Sequence, residues 1–191
     1  FMTQKGRKPM SEREFQGYVT IRQKCDHSMF TLRANLASNK VKSAVKTGLK
    51  LTVPKRGTYA HNNEVILAWM SPDELLIIVL EAKRSAAFAA LEQALEGLHY
   101  LLADVSDARA SFTIEGGSAR EVVAKLAPMD ISAAQFPVGG FARTRFAQVA
   151  GAIFVEQEDR LSLICFRSVQ DYVFALLCGA AKLGSEVRAQ S

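Results

Sequence analysis

A β-strand that turns directly into an α-helix is predicted by residues 104–126, DVSDARASFTIEGGSAREVVAKL. Residues 100–114 are rich in apolar and β-forming side chains, which favour strands. Two glycines then suit a tight turn, and Ser118 can cap a helix over residues 118–126. A strand and a helix joined this closely bury their apolar sides together, so the chain is constrained to a fold in which helices lie on a sheet.

Further strands and helices are predicted on both sides of this unit. Two apolar runs, residues 64–69 and 75–80, are separated by the turn residues Pro72 and Asp73, which predicts a hairpin. Apolar side chains at helical spacing predict helices that begin at Asn39 and span residues 85–98 and 168–183, and alternation predicts antiparallel strands at 141–148, 152–156 and 161–166. This order of elements indicates an α+β fold, with antiparallel sheets whose helices pack on one face, built as two ferredoxin-like split βαβ units.

Positive charge is concentrated in the first third of the chain. Residues 1–60 hold 13 Lys and Arg against 3 Asp and Glu, whereas the remaining residues hold 11 against 16. We expect residues 1–30 to form a basic, partly mobile N-terminal arm, and residues 31–191 to form a single α+β domain built of two small intertwined subdomains. The arm can be a solvated tail, a contact to an acidic protein partner, or a nucleic-acid contact. The sequence lacks a helix-turn-helix or zinc-finger pattern, which disfavours nucleic acid.

Hydropathy and cysteine content indicate where in the cell the protein is located. The longest apolar runs are far shorter than the roughly 20 residues of a membrane span, and no apolar stretch follows the basic N-terminus as a signal peptide requires. We therefore expect a cytoplasmic protein without a membrane contact. Cys25, Cys165 and Cys178 are an odd and widely spaced set, which predicts neither a disulfide framework nor a zinc site.

No residue pattern predicts a catalytic, cofactor-binding or metal site in this chain. His27, His61 and His99 are not accompanied by a Ser or Cys in a nucleophile motif. Asp104 and Asp107 end a predicted strand, where aspartate commonly forms turns. The EGGS segment before the helix lacks the lysine and the spacing of a phosphate-binding loop.

Four arginines are predicted to lie within strands or at their ends, namely Arg109, Arg143, Arg145 and Arg167. An arginine in such a position forms either a salt bridge at the rim of the sheet or an anchor at an interface. The planar guanidinium group favours the second use, because it binds carboxylates with two parallel hydrogen bonds. These four residues are therefore the candidate partner interface.

Several short segments occur in a characteristic order along the chain. They are WMSPDE at residues 69–74 before an apolar strand, DVSDARA at 104–110, a glycine and SAREV within 116–122, and RS and DY within 167–172. Together they resemble the gamma subunit of heterotetrameric sarcosine oxidase, over residues 31–184. More distantly, the chain is similar to the folate-binding domain of the aminomethyltransferase (T-protein) of the glycine-cleavage system. The resemblance implies a T-protein-like fold.

The same resemblance implies a role in sarcosine catabolism and one-carbon metabolism. Sarcosine oxidase demethylates sarcosine to glycine, with formation of methylenetetrahydrofolate and hydrogen peroxide. The resemblance implies a non-catalytic gamma subunit without a cofactor of its own, which supports assembly of the flavin-bearing subunits of the heterotetramer. The implied partners are larger alpha and beta subunits and a small delta subunit, and these carry FAD, FMN, NAD and tetrahydrofolate.

Two alternatives belong to the same group of proteins. One is the small subunit of a related N-methylglutamate dehydrogenase, and the other is a stand-alone folate-binding or aminomethyltransferase-like domain. The T-protein has a glycine-rich turn, RTGYTGExGxE, which has no counterpart between Phe141 and Phe166. Its absence from this segment disfavours a folate pocket in this chain.

Overall fold

The structure, a computed structural model, describes residues 12–187. Two antiparallel sheets and four α-helices account for most of them. The strands are β1 (Glu14–Gln16), β2 (Thr20–Lys24), β3 (His27–Ala34), β4 (Tyr59–His61), β5 (Val65–Ser71), β6 (Glu74–Leu80), β7 (Tyr100–Asp104), β8 (Arg109–Glu115), β9 (Phe141–Phe146), β10 (Val149–Gln157) and β11 (Arg160–Phe166). The helices are α1 (Asn39–Leu49), α2 (Arg84–Ala94), α3 (Ala119–Leu126) and α4 (Gln170–Ala180).

The five-stranded sheet forms a contiguous ferredoxin-like unit. Its strand order is β4-β5-β6-β3-β7, and every pairing is antiparallel. The unit runs β3-α1-β5-β6-α2-β7 along the chain, with β4 as an added edge strand. The predicted hairpin is confirmed, because β5 and β6 pair with Val65 opposite Val79.

The six-stranded sheet repeats this plan with one strand taken from elsewhere. Its order is β1-β2-β8-β11-β10-β9. The succession β8-α3-β10-β11-α4 matches the first unit, and β9 occupies the place of β4. The fourth strand of the plan is β2, which precedes the whole first unit in the chain and pairs with β8. Two ferredoxin-like units, predicted from the sequence, are therefore confirmed, and the second is circularly permuted.

The two sheets stack on each other, and the helices lie outside them. Helices α1 and α2 pack on one face of the five-stranded sheet, where Val45 and Leu91 are fully buried. Helices α3 and α4 pack on one face of the six-stranded sheet, where Val122 and Val123 are fully buried as the helical spacing predicts. The remaining faces share a third cluster, here called the inter-sheet layer, which consists of Met29, Ala68, Met70, Leu76, Ile78, Phe141, Ala152, Phe154 and Ile164.

A partly buried ion pair lies beside the inter-sheet layer. The Glu156 carboxylate accepts hydrogen bonds from Lys24 Nζ at 3.3 Å and from Ser162 Oγ. Burial raises the pKa of Glu156, but the charges of Lys24 and Arg160 and the Ser162 hydrogen bond outweigh this effect, so the pKa is lower than usual. The pair ties β2 to β10 across the strands between them.

The prediction of one continuous strand over residues 100–114 is wrong. The segment consists of β7 and β8, which belong to different sheets. The Asp104 carboxylate accepts a hydrogen bond from the Ser106 backbone N–H at 3.0 Å, and Ala108 N–H donates to the Val105 carbonyl oxygen at 3.0 Å. These bonds form a turn, because a short polar side chain can satisfy the backbone in place of a strand partner. The chain crosses between the sheets at this turn.

The predicted boundary at residue 30 is also corrected, because it falls within β3. Ile21 and Phe30 are fully buried, so the segment after residue 14 is part of both folded units. Two of the positive charges that suggested an arm are paired within the fold, because Arg22 lies 2.8 Å from both Glu14 and Glu115 and Lys24 lies 3.3 Å from Glu156. Residues 1–11, which hold the rest of the predicted arm, lie outside the described residues.

The predicted helices are confirmed, with ends that differ by up to four residues from the prediction. Helix α1 begins at Asn39 as expected, and Ser38 is the residue before it. Ser168 lies in a 3-10 turn over Arg167–Val169, and α4 begins after it at Gln170. Helix ends are set by tertiary packing as well as by capping preference, so such shifts are common.

Candidate partner-binding site

Three of the four arginines that were predicted to form a partner interface lie on one face of the six-stranded sheet. Arg109 on β8 is directly opposite Phe166, and Arg143 on β9 is directly opposite Ala152. Residues that face each other across antiparallel strands share a face. Ala152 belongs to the inter-sheet layer, so Arg143 and its neighbour two positions on, Arg145, lie on that face.

The inter-sheet layer ends in a cleft of about 260 Å³, here called the arginine cleft. One wall comes from the five-stranded sheet and the other from the six-stranded sheet. The floor is the segment Ala150-Gly151-Ala152 of β10, whose small side chains leave the space open. The charged and large side chains in its walls are Arg33, Met70 and Glu74 on one side and Arg109, Arg143 and Phe166 on the other.

Arg109 is partly buried without a hydrogen-bonding partner at its Nε atom. Its guanidinium carbon lies 5.2 Å from the centre of the Phe166 ring, in the range of a cation–π contact. Burial lowers the pKa of Arg109, Glu74 counteracts this effect, and the positive charge of Arg143 adds to it. The site therefore holds a cation that an additional anion would stabilise.

The charges around the cleft do not balance. Arg33 Nη2 lies 3.1 Å from a Glu74 carboxylate oxygen, and the Glu74 side chain is only 12% exposed. Arg143 Nη1 donates to the Met70 carbonyl oxygen at 3.2 Å, and no carboxylate within residues 12–187 pairs with it. Three guanidinium groups and one carboxylate line the cleft, so it carries two excess positive charges. This arrangement can bind a carboxylate.

The other two predicted arginines do not line the cleft. Arg145 is exposed and donates to the Gln148 side-chain oxygen at 3.2 Å. Arg167 Nη2 donates to the backbone carbonyl oxygens of Ser106 at 3.1 Å and Arg109 at 3.2 Å. Arg167 thus positions the turn that leads into β8 and holds the backbone of Arg109.

Arg33 and Glu74 belong to the site but were not predicted from the sequence. They are directly opposite each other on β3 and β6. More than thirty residues separate them in the chain, and only the strand register brings them together. Their one sequence signal is that each is a charged residue at the end of an apolar strand.

Other candidate catalytic side chains have structural contacts. The Asp26 carboxylate pairs with His27 Nδ1, and the His61 ring lies 5.6 Å from the Tyr59 ring. Burial raises the pKa of Asp104, but hydrogen bonds from Ser106 and the paired Arg84 outweigh it and lower the pKa.

Burial also raises the pKa of the Cys165 thiol to about 11. Among residues 12–187, no three His, Cys, Asp or Glu side chains are grouped so that they could hold a metal ion. In the same part of the chain, no helix has both the length and the apolar character of a membrane span.

The Sarcosine oxidase, gamma subunit family matches residues 33–182. A chain of the heterotetrameric sarcosine oxidase from Corynebacterium sp. U-96, in complex with pyrrole 2-carboxylate, is similar with a TM-score of 0.83 at 23% identity, over 92% of this chain and 91% of that chain. The glycine cleavage system aminomethyltransferase T from Bartonella henselae is similar with a TM-score of 0.64 at 13% identity, over 84% of this chain and 45% of that chain. A search of curated proteins gives no match.

Proposed function

We propose that this chain, which belongs to the sarcosine oxidase gamma subunit family, is a docking subunit that supports assembly of a larger sarcosine-oxidising flavoprotein. The family match covers most of the chain and confirms the resemblance found in the sequence. It favours a gamma subunit over the small subunit of an N-methylglutamate dehydrogenase and over a stand-alone folate-binding domain.

The arginine cleft is the observation that carries the docking role. It holds two excess positive charges at the surface, and the exposed Phe166 ring lies beside it. Arginine and aromatic side chains are enriched at the centres of protein interfaces, because both give large contact area with directional bonds. We propose that larger alpha and beta subunits and a small delta subunit are the partners, and that FAD, FMN, NAD and tetrahydrofolate are bound by them. In this proposal the chain itself performs no chemistry.

The test is coexpression of the full chain with the larger subunits of its complex, followed by size-exclusion chromatography monitored by flavin absorbance. We expect the chain to elute with the flavin-absorbing peak, whereas the chain expressed alone elutes later and without flavin absorbance. Sarcosine turnover by the chain alone would contradict the non-catalytic role. Elution of the chain apart from the flavoprotein would contradict the docking role.

A further inference from the structure

We propose that the arginine cleft binds the carboxylate of an acidic side chain from a partner subunit, held between the guanidinium groups of Arg109 and Arg143. This inference rests on the proposed docking function and specifies the chemistry of the partner at one site. The occupant is a Glu or Asp in a segment of the partner that lies over the open side of the cleft.

The charge of the cleft is the first argument for a carboxylate. Glu74 pairs with Arg33 and also attracts Arg109, but its single negative charge cannot balance the three positive charges of Arg33, Arg109 and Arg143. Arg109 Nε is buried without a partner, and leaving a buried donor unsatisfied is costly unless binding supplies an acceptor. A carboxylate offers two oxygens, which match the paired donors of a guanidinium group.

The size of the cleft is the second argument, because it suits a single side chain. Its volume of about 260 Å³ is below the approximately 300–1,000 Å³ of pockets that enclose cofactors and other drug-sized ligands. A single Glu or Asp side chain fits this space. The apolar surfaces of Met70 and Phe166 can contact the methylene groups of that side chain.

The rigidity of the site is the third argument. Arg109 lies against the Phe166 ring, and Arg167 holds the Arg109 carbonyl oxygen. The exposed Arg143 donates a hydrogen bond to the Met70 carbonyl oxygen, and this bond joins the two walls of the cleft. Side chains that are already ordered lose less conformational entropy when a partner binds.

The experiment measures binding of the full chain to the purified larger subunits by biolayer interferometry. The variants are R109M, R109K and R143M, and the matched control is R22M, which removes an arginine from the same sheet but outside the cleft. Losing one partner of a desolvated charge pair costs about 2 kcal/mol or more, so we expect R109M to raise Kd by about 30-fold or more. R109K, which keeps the charge but not the planar fork, is expected to fall between R109M and the wild-type chain. R22M should stay within about twofold of the wild-type chain.

A second measurement uses the wild-type chain and does not depend on the folding of a variant. Phenylglyoxal labels accessible arginines, and mass spectrometry locates the label. We expect Arg109 to be labelled in the free chain and protected in the complex, whereas Arg145 on the same sheet serves as the exposed reference for labelling of the free chain.

The outcomes separate this inference from the proposed function. If the wild-type chain assembles while R109M binds as R22M does, or Arg109 is labelled equally in both states, the carboxylate inference is overturned and the docking function stands. If millimolar acetate protects Arg109 but the partner does not, the cleft is a small-anion site and the inference is again overturned. If the wild-type chain does not assemble at all, both proposals are wrong.

Discussion

Replacement of Gly17 by Ala tests how firmly the N-terminal strands are held against the end of α4. A Cβ atom at Gly17 would lie 1.8 Å from the Ala181 carbonyl oxygen and 2.7 Å from its carbonyl carbon. Ordinary contacts begin at 3.4 Å, so the bend between β1 and β2 has to move away from the end of α4. That movement breaks the bond from the Tyr18 backbone N–H to the Ala181 carbonyl oxygen, which is 3.0 Å long. It also strains the bond from the Tyr18 hydroxyl to the Ala180 carbonyl oxygen.

The expected cost follows from these contacts. Overpacking in a tightly packed region costs about 1–3 kcal/mol, and each lost hydrogen bond costs about 0.5–1.5 kcal/mol. The sum predicts that G17A lowers the free energy of unfolding by about 3 kcal/mol. For a chain of this length, each kcal/mol lowers Tm by about 2–4 °C, so Tm should fall by about 6–12 °C.

Thermal unfolding followed by circular dichroism measures this change. The matched control is G179A, because Gly179 lies in α4 with nothing within 4 Å of the added Cβ atom. Alanine is the better helix former, so we expect G179A to raise the free energy of unfolding by up to about 1 kcal/mol. Its Tm should therefore equal or exceed that of the wild-type protein. A G17A variant that melts within 2 °C of the wild-type protein, with about 2–4 °C expected per kcal/mol, would refute the proposed contact between strand and helix.

Three further predictions concern the core. Phe154 is 1% exposed and its ring centre lies 4.9 Å from that of Phe141, so F154A should cost about 3–5 kcal/mol in urea unfolding and F154L clearly less; equal costs would contradict tight packing between the sheets. The pKa of Glu156 is lowered in the folded state, so its negative charge stabilises the folded protein relative to E156Q. This difference in stability should be full above pH 4.5 and should shrink as the pH falls through the folded pKa. A difference that does not change with pH would exclude the ion pair with Lys24. The Cys165 thiol, with a pKa of about 11, should resist Ellman's reagent in the native protein and react only in denaturant; fast native labelling would contradict its burial.

Locally encoded elements could be predicted from the sequence. The β5–β6 hairpin has apolar runs on both sides of Pro72 and Asp73, and all its pairing partners are near in the chain. Helix α3 repeats apolar residues at helical spacing, and Val122 and Val123 are buried as expected. Such elements carry their signal within a window of about a dozen residues.

Elements defined by distant partners could not be predicted in the same way. Residues 100–114 are apolar on both sides of the turn, so hydropathy does not reveal that β7 and β8 belong to different sheets. The basic first residues suggested an arm, because the acidic partners of Arg22 and Lys24 come from Glu115 and Glu156, far along the chain. The candidate site could be predicted only in part for the same reason.

In that site, two of the four predicted arginines, Arg109 and Arg143, line the arginine cleft. Their shared face depends on the register of four strands, and the register also brings in Arg33 and Glu74. Arginine at a strand end is a recognisable candidate, but its neighbours are set by strand pairing over long sequence separations.

The permuted six-stranded unit imposes an order on biosynthesis. The five-stranded unit is continuous from β3 to β7, so it can close while the ribosome is still adding residues. Strand β2 is synthesised before the five-stranded unit, yet its partner strand β8 is synthesised after that unit. Until β8 has been synthesised, β2 has no partner on that side, and contacts between residues so far apart in the chain form slowly. The six-stranded sheet can therefore be completed only after the five-stranded unit has been synthesised in full.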